Sequence, residues 1–414
     1  MQQLPQLVIE ALQEFHRIAA EVPLWPGYRP ETTPLVLHGP ESAFLVGHPA
    51  PLPGYTALEP ICGRTVHVGP RHPDMNANTA HAVGGVLCAL AMLPHESQGA
   101  AEYARLLLHE CFHAHQDSVM KTVPKPDPKF MALYPENDPA NNALAVAENR
   151  LLVAALGGDA EAPARFLAVR LHRHGRYGEG LRVYETRQEY NEGTPTYIEV
   201  QAGQPLSALT DRLLQCNIGA KWAGNYRFYA TGMALALLLD RRLPDWKERL
   251  ARGRETLQEL LAATVAQPLP DVGAVLAEAG YPELLAAEEA REVERRRRID
   301  ELLAQLEPGA GGYRVEIEIG RAPGCGWNPS AVMVVRPGLR LHPGFFRAMG
   351  HAIRIEIQGL CLEDRERQIA VVNLPESPVV TGTAPFRFEG PGLKGEAPAG
   401  RIEGDGNRFR ICIG

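Results

Sequence analysis

The sequence predicts an α+β chain in three parts, and three changes of texture along it carry that reading. Residues 1–98 are broken by prolines and glycines around short apolar runs, the texture of small strands and turns. From 99 to 306 apolar residues recur at spacings of three and four, which is the helical period. Beyond 313 the period becomes two, as in half-buried strands.

In the N-terminal part, "PLWPGYRPETTP" and "HPAPLPGYT" flank the apolar runs "AFLV" and "RTVHV", and the part closes on "AHAVGGVLCALAML". The helical body holds "AAEYARLLLHECFHAHQDSVM", "NNALAVAENRLLVAALG", "YATGMALALLLDRRL" and "PDWKERLARGRETLQELLAATV". Its last helix, "LLAAEEAREVERRRRIDELLAQL", carries the cluster Arg295–Arg298, read as a solvated face beside its glutamates. "EPGAGGY" at 307–313 is a linker, and "YRVEIEI", "HAIRIEIQ" and "RFRICI" beyond it predict an all-β sandwich or barrel over 313–414.

Composition sets the outer limits. The chain has 414 residues, 45% hydrophobic and 22% charged, which is globular and long enough for more than one core. A net charge of −7 gives no reason to expect nucleic acid or an anionic membrane as partner. The stretch 1–25 lacks the basic start and apolar middle of a signal peptide, and no long uncharged apolar run suggests a membrane span. Seven scattered cysteines without a CxxC pair read as reduced thiols, so a cytoplasmic location is expected.

The stretch that carries chemistry is "LLLHECFHAHQ", residues 106–116. At about 100° per residue, His109 and His113 lie about 40° apart on one helical face, so both imidazoles reach one metal ion. Glu110 sits about 100° round from His109, placed to touch a water rather than the ion. This is HExxH: two ligands and a base beside a water whose pKa zinc lowers. His115 and Cys111 face away and read as packing residues. His48, His67, His72 and His81 read as ordinary loop or strand histidines.

A catalytic zinc needs a third protein ligand, and two glutamates compete for the place. Glu148 lies in an apolar helical stripe with Leu144, Ala145, Leu151, Leu152 and Ala155, where a carboxylate needs a partner. Glu192 lies in "RQEYNEGTPTYIEV", with Glu199 seven residues on and nearly on the same helical face. Pro195 in that segment marks a helix start or a kink.

"YNEGTPTYIE" resembles the NEGxxxYxE segment of the gluzincin metallopeptidases, the large zinc aminopeptidases above all. "FYATGMALALLLD" is similar to their YxxG segment. Together with HExxH, the segments span residues from about 99 to 242. The resemblance implies a zincin-like catalytic domain made of the β-rich part and the helical body. It also implies Zn2+ held by His109, His113 and Glu192, with Glu110 as general base and Tyr229 as oxyanion donor. Tyr226 is the alternative donor, and an exposed backbone edge near Val83–Leu90 would pair with an extended peptide. The expected function is hydrolysis of peptide bonds in a peptide or protein substrate. The alternative is a retired zincin fold that acts as a binding or scaffolding protein through its β-domain.

Two departures accompany the resemblance. His113 and Glu192 are separated by 78 residues, far more than in the aminopeptidases, and the insertion contains Glu148. The glycine-rich segment that anchors a substrate amino terminus in aminopeptidases is replaced by "VGGVLCALAM", which has no acid.

Overall fold

The first element is a helix that the strand-and-turn reading of 1–98 did not include. The computed structural model describes residues 3–414 except 73, 76, 96, 119, 121–133, 216–222, 308–310, 321–323, 328–330 and the side chains at 209, 223–226, 325, 327 and 405. Helix α1 (Gln6–Glu21) buries Val8, Ala11, Leu12, Phe15 and Ile18 on one face. Those positions recur at three and four, and the proline-rich stretches begin only after them.

Six strands follow: β1 (Leu35–His38), β2 (Ser42–Val46), β3 (Thr56–Ile61), β4 (Arg64–Pro70), β5 (Thr79–Val83) and β6 (Val86–Met92). They form one sheet in the order β3-β4-β2-β1-β6-β5, with β1 and β6 parallel and the other neighbours antiparallel. Gly84 and Gly85 join β5 to β6 at φ 56 and φ 80, the left-handed pair that a two-residue hairpin turn requires. Alternation sorts the side chains. Leu35, Leu37, Phe44, Val46, Ala89 and Ala91 join the core with the helices, and Val36, Ala43, Leu45, Cys88 and Leu90 form a second cluster on the other face. The expected edge at Val83–Leu90 is corrected here. Ala89 and Leu90 are paired on both sides, with β1 and with β5, and the unpaired edge of this hairpin is that of β5.

Strand β6 leads into α2 (Ala100–Ser118), the helix of the HExxH motif, which packs on α1, β5 and β6. Further helices are α3 (Pro139–Leu156), α4 (Ala162–Tyr177), α5 (Glu179–Gln188), α6 (Thr194–Gln201), α7 (Leu206–Gln215) and α8 (Ala223–Arg242), with a π-helical turn at Glu189–Gly193 between α5 and α6. The stretch "PDWKERLARGRETLQELLAATV" forms two short helices, α9 (Trp246–Ala251) and α10 (Leu257–Ala262). Gly253 (φ 69) ends the first, and a capping box between Thr256 and Glu259 starts the second. Helices α11 (Val272–Glu278) and α12 (Tyr281–Ala304) follow.

The chain divides into two compact units. One comprises the described residues of Met1–Tyr134, Leu144–Cys216 and Gly224–Tyr281, and the other those of Pro135–Ala143, Asn217–Ala223 and Pro282–Gly414. The β-rich part and most of the helices therefore share one unit. Helix α12, placed by its period with the helical body, belongs to the second unit instead, where Ile299, Leu302 and Leu306 cluster with Leu341. Arg296, Arg297 and Arg298 are exposed and ion-paired on that helix, respectively with Glu292, with Glu294 and Glu301, and with Glu301. Arg295, expected on the same solvated face, is instead largely buried: it pairs with Glu292 and donates to the Val334 carbonyl at 2.9 Å.

The C-terminal strands, β7 (Tyr313–Glu318) to β19 (Arg408–Ile413), form sheets of seven and six strands. Val315, Ile317, Val372 and Ile411 of the first pack with Phe346, Ile355, Ile357, Phe386 and Phe388 of the second in one core, as a sandwich requires. No helix among the described residues is long and apolar enough to cross a membrane. Cys62, Cys88, Cys111, Cys361 and Cys412 are free thiols.

Candidate metal centre

Helical spacing sets the two histidines of α2 edge to face, with ring centroids 5.0 Å apart. Each imidazole is anchored at Nδ1. His109 Nδ1 lies 2.6 Å from Glu199 Oε1, and His113 Nδ1 lies 2.9 Å from Gln116 Oε1. An ionised carboxylate only accepts, so the Glu199 contact requires a proton on His109 Nδ1. The Gln116 amide is oriented by its other end, because Nε2 donates to the carbonyls of Tyr190 at 3.1 Å and Asn191 at 3.3 Å. Its oxygen therefore faces His113 and requires a proton on that Nδ1 too. Each Nε2 is therefore the nitrogen whose lone pair becomes available to a metal once it gives up a proton.

Those nitrogens face Glu192. Its Oε2 lies 3.8 Å from His109 Nε2 and 3.6 Å from His113 Nε2, and one ligand atom from each of the three residues falls within 4.8 Å of the others. These separations exceed a hydrogen bond. Two donors at about 2.0–2.1 Å from one tetrahedral ion stand about 3.3 Å apart, so each Glu192–histidine gap is a few tenths of an ångström wider than a shared zinc would need. Asn191 Nδ2 donates to the other oxygen, Oε1, at 2.9 Å. Glu192 is carried on the π-helical turn, and Pro195 sits in the first turn of α6, where its missing N–H is tolerated.

The site is rich in acceptors and poor in cations. Glu110, Glu192 and Glu199 surround the imidazoles, and among the described residues none of the three pairs with an arginine or lysine. Glu110 is 4% exposed, and its buried Oε2 has no hydrogen-bond partner among the described residues. Burial raises the Glu110 carboxyl above its ordinary value despite the two histidines, while Glu192, also buried, is held far below by His109 and His113. Burial pulls the His109 imidazole down, but Glu192 and Glu199 more than reverse it and lift it to about 10. His113 is raised likewise, with Glu192 overcoming burial. The metal-free site thus draws protons onto its imidazoles to balance its carboxylates, and a dication would take the place of those protons. Donors of this kind, two nitrogens and one carboxylate oxygen with an orphaned carboxylate beside them, fit a catalytic zinc site.

The other candidate ligand is elsewhere. Glu148 is fully buried and bound by Arg170 at 3.0 Å, Arg173 at 2.5 Å and Arg227 at 2.5 Å. Arg173 and Arg227 also hold Glu185, and Arg170 holds Glu189. The apolar stripe of α3 hides a carboxylate because α4 and α8 supply its counterions.

Tyr229 stacks on His109, with centroids 5.9 Å apart and planes 15° from parallel. The Tyr226 side chain lies outside the described residues. His115 is buried against Phe112 and Tyr28, burial lowers its pKa, and Cys111 is wholly buried, so both are packing residues. The glycines of the two flanking segments touch: a Cβ on Gly193 would strike Gly232 Cα, and one on Gly232 would strike the Glu189 carbonyl. Bare backbone is what lets the π turn and the Tyr229 helix approach this closely. Tyr197 is tied to Asp240 by its hydroxyl, at 2.7 Å. Sequence reasoning gave no role to Gln116 or to this glycine pair. The first stands three residues after His113, hence on its face of α2, and that spacing was the available signal. No protein family, curated protein or solved structure matches this chain.

Proposed function

We propose that the protein is a zinc-dependent metallopeptidase of gluzincin type, with His109, His113 and Glu192 as ligands in a zincin-like domain. The observation that carries this reading is the convergence of Glu192 and two imidazoles anchored at Nδ1, with Nε2 turned to Glu192, beside the buried carboxylate oxygen of Glu110. Zinc, when bound, supplies Lewis acidity: it polarises a carbonyl and lowers the pKa of a water towards neutrality.

Glu110 takes the proton of the attacking water and delivers it to the leaving amine. Its buried setting suits this task, because a carboxylate raised above its ordinary pKa is a stronger base than one on the surface. Tyr229 donates its phenolic hydrogen to the oxyanion that develops at the scissile carbonyl, an interaction worth about 2.7–4 kcal/mol in comparable sites. Strand β5, the edge of the sheet on which α2 packs, would hold an extended peptide by main-chain hydrogen bonds.

The test is cleavage of casein or a mixed-peptide panel by zinc-loaded protein. Cleavage should stop on addition of a chelator, and Glu110→Gln should cut about 10²–10⁴-fold more slowly with zinc content unchanged. Parental cleavage by Glu110→Gln would remove the general base and this mechanism with it. Stoichiometric zinc without cleavage of any panel member would favour the retired, scaffolding form of the fold.

A further inference from the structure

We infer that Gln116 is a positioning residue of the metal centre, which extends the helical motif by one turn to HExxHxxQ and couples its second histidine to the turn carrying the third ligand. The inference rests on the zinc reading above. Gln116 is 5% exposed, and its amide is engaged at both ends. The oxygen accepts from His113 Nδ1 at 2.9 Å, while Nε2 donates to the carbonyls of Tyr190 and Asn191 and to Thr194 Oγ1 at 3.0 Å. Tyr190 and Asn191 immediately precede Glu192 on the π turn.

The chemistry of this arrangement follows from the prolyl nitrogen. In a continuous helix the N–H at position 195 would donate to the carbonyl of Asn191, or of Tyr190 in π geometry, and Pro195 has no N–H to give. Buried carbonyls left without a donor are costly. Thr194 Oγ1 donates to Tyr190 O at 2.8 Å, and Gln116 donates to both carbonyls. The NH2 group is thereby held towards the π turn, and only oxygen is left to face His113. One amide thus fixes the tautomer of one ligand and ties it to the backbone bearing another, across 75 residues of sequence to Asn191. Among the described residues no other polar side chain is placed to do both: Glu199 anchors His109 alone, and an ionised carboxylate carries no donor.

The acceptor and donor ends separate by substitution. Gln116→Met removes both functions at similar volume, and Gln116→Glu keeps an acceptor for His113 but has no donors for the carbonyls. Full-length protein stripped of metal is titrated with Zn2+ against a chelating dye, with circular dichroism confirming the fold of each variant. Gln116→Met should bind zinc about 10–100-fold more weakly, and Gln116→Glu should recover most of that loss. Unchanged affinity in Gln116→Met, or an equal loss in both variants, would overturn the inference, since a mere strut for the carbonyls fails in both. Should neither variant fold, wild-type zinc-loaded protein labelled with ¹⁵N-histidine decides the matter. His113 should carry its proton on Nδ1 and its metal on Nε2, and the reverse overturns the inference. Wild-type protein that takes up no zinc overturns the metal reading itself, and this inference with it.

Discussion

Two buried acidic clusters lie in the same unit, and they differ in what balances them. Glu148, Glu185 and Glu189 are matched by Arg170, Arg173 and Arg227, all at 0% exposure. Glu110, Glu192 and Glu199 face two imidazoles whose Nδ1 protons are already committed. In the first cluster each carboxylate has an arginine counterion, and these ion pairs hold α3, α4, α5 and α8 together. In the second the metal-free balance is made by protons on His109 and His113, which a dication would displace. Burial alone does not separate a structural carboxylate from a metal ligand; the origin of the compensating charge does.

The sharpest way to break the comparison is to remove one carboxylate from each cluster. Glu192→Ala should abolish stoichiometric zinc and lower the melting temperature of metal-free protein only modestly, because His109 and His113 lose one carboxylate partner at a partly exposed site. Glu148→Gln should do the opposite: three buried arginines lose a partner, and stability should fall by about 3–5 kcal/mol in denaturant titration, with zinc retained by the folded fraction. Zinc loss in Glu148→Gln at full stability would hand the third ligand to Glu148. A smaller effect is expected at the contact between the π turn and α8. Gly232→Ala forces a methyl against the Glu189 carbonyl, costs about 1–3 kcal/mol, and moves Tyr229 relative to His109, so activity should fall while zinc stays.

Acid and alkali should also distinguish the clusters. Arginines hold the Glu148 and Glu185 carboxyls, despite their burial, well below the usual range. Groups lowered in the folded state contribute stability above their unfolded pKa, about 4.5, and lose it as pH falls through the folded value, so this cluster weakens in acid. His109 of the metal-free site is raised from 6.5 to about 10, so its contribution is complete below 6.5 and is lost as pH rises to about 10. Melts of metal-free protein should therefore fall across that alkaline window, and zinc-loaded protein should show a flatter profile there. Identical alkaline profiles with and without zinc would count against the metal centre.

What the sequence made legible follows the range over which each feature is built. His109, Glu110 and His113 share one helix, so helical geometry alone placed them. The partners of Glu148 lie 22, 25 and 79 residues away, and no local period announces an arginine on another helix. Likewise the period over 281–304 specified a helix but not the unit on which its Ile299 and Leu302 pack. The segment "NEGTPTYIE" was found by resemblance, yet the division of labour within it came only with the fold. Asn191 steadies Glu192, Gly193 meets Gly232, Tyr197 binds Asp240 and Glu199 fixes His109.

The central claim is that the histidine–glutamate cluster is a zinc site, and metal analysis tests it most directly. Full-length protein stripped with chelator, reloaded with Zn2+ and freed of excess metal should contain one zinc per chain by elemental mass spectrometry, and His113→Ala treated identically should contain almost none. Wild-type protein that returns without zinc, or His113→Ala that retains it at parental stoichiometry, would contradict the account.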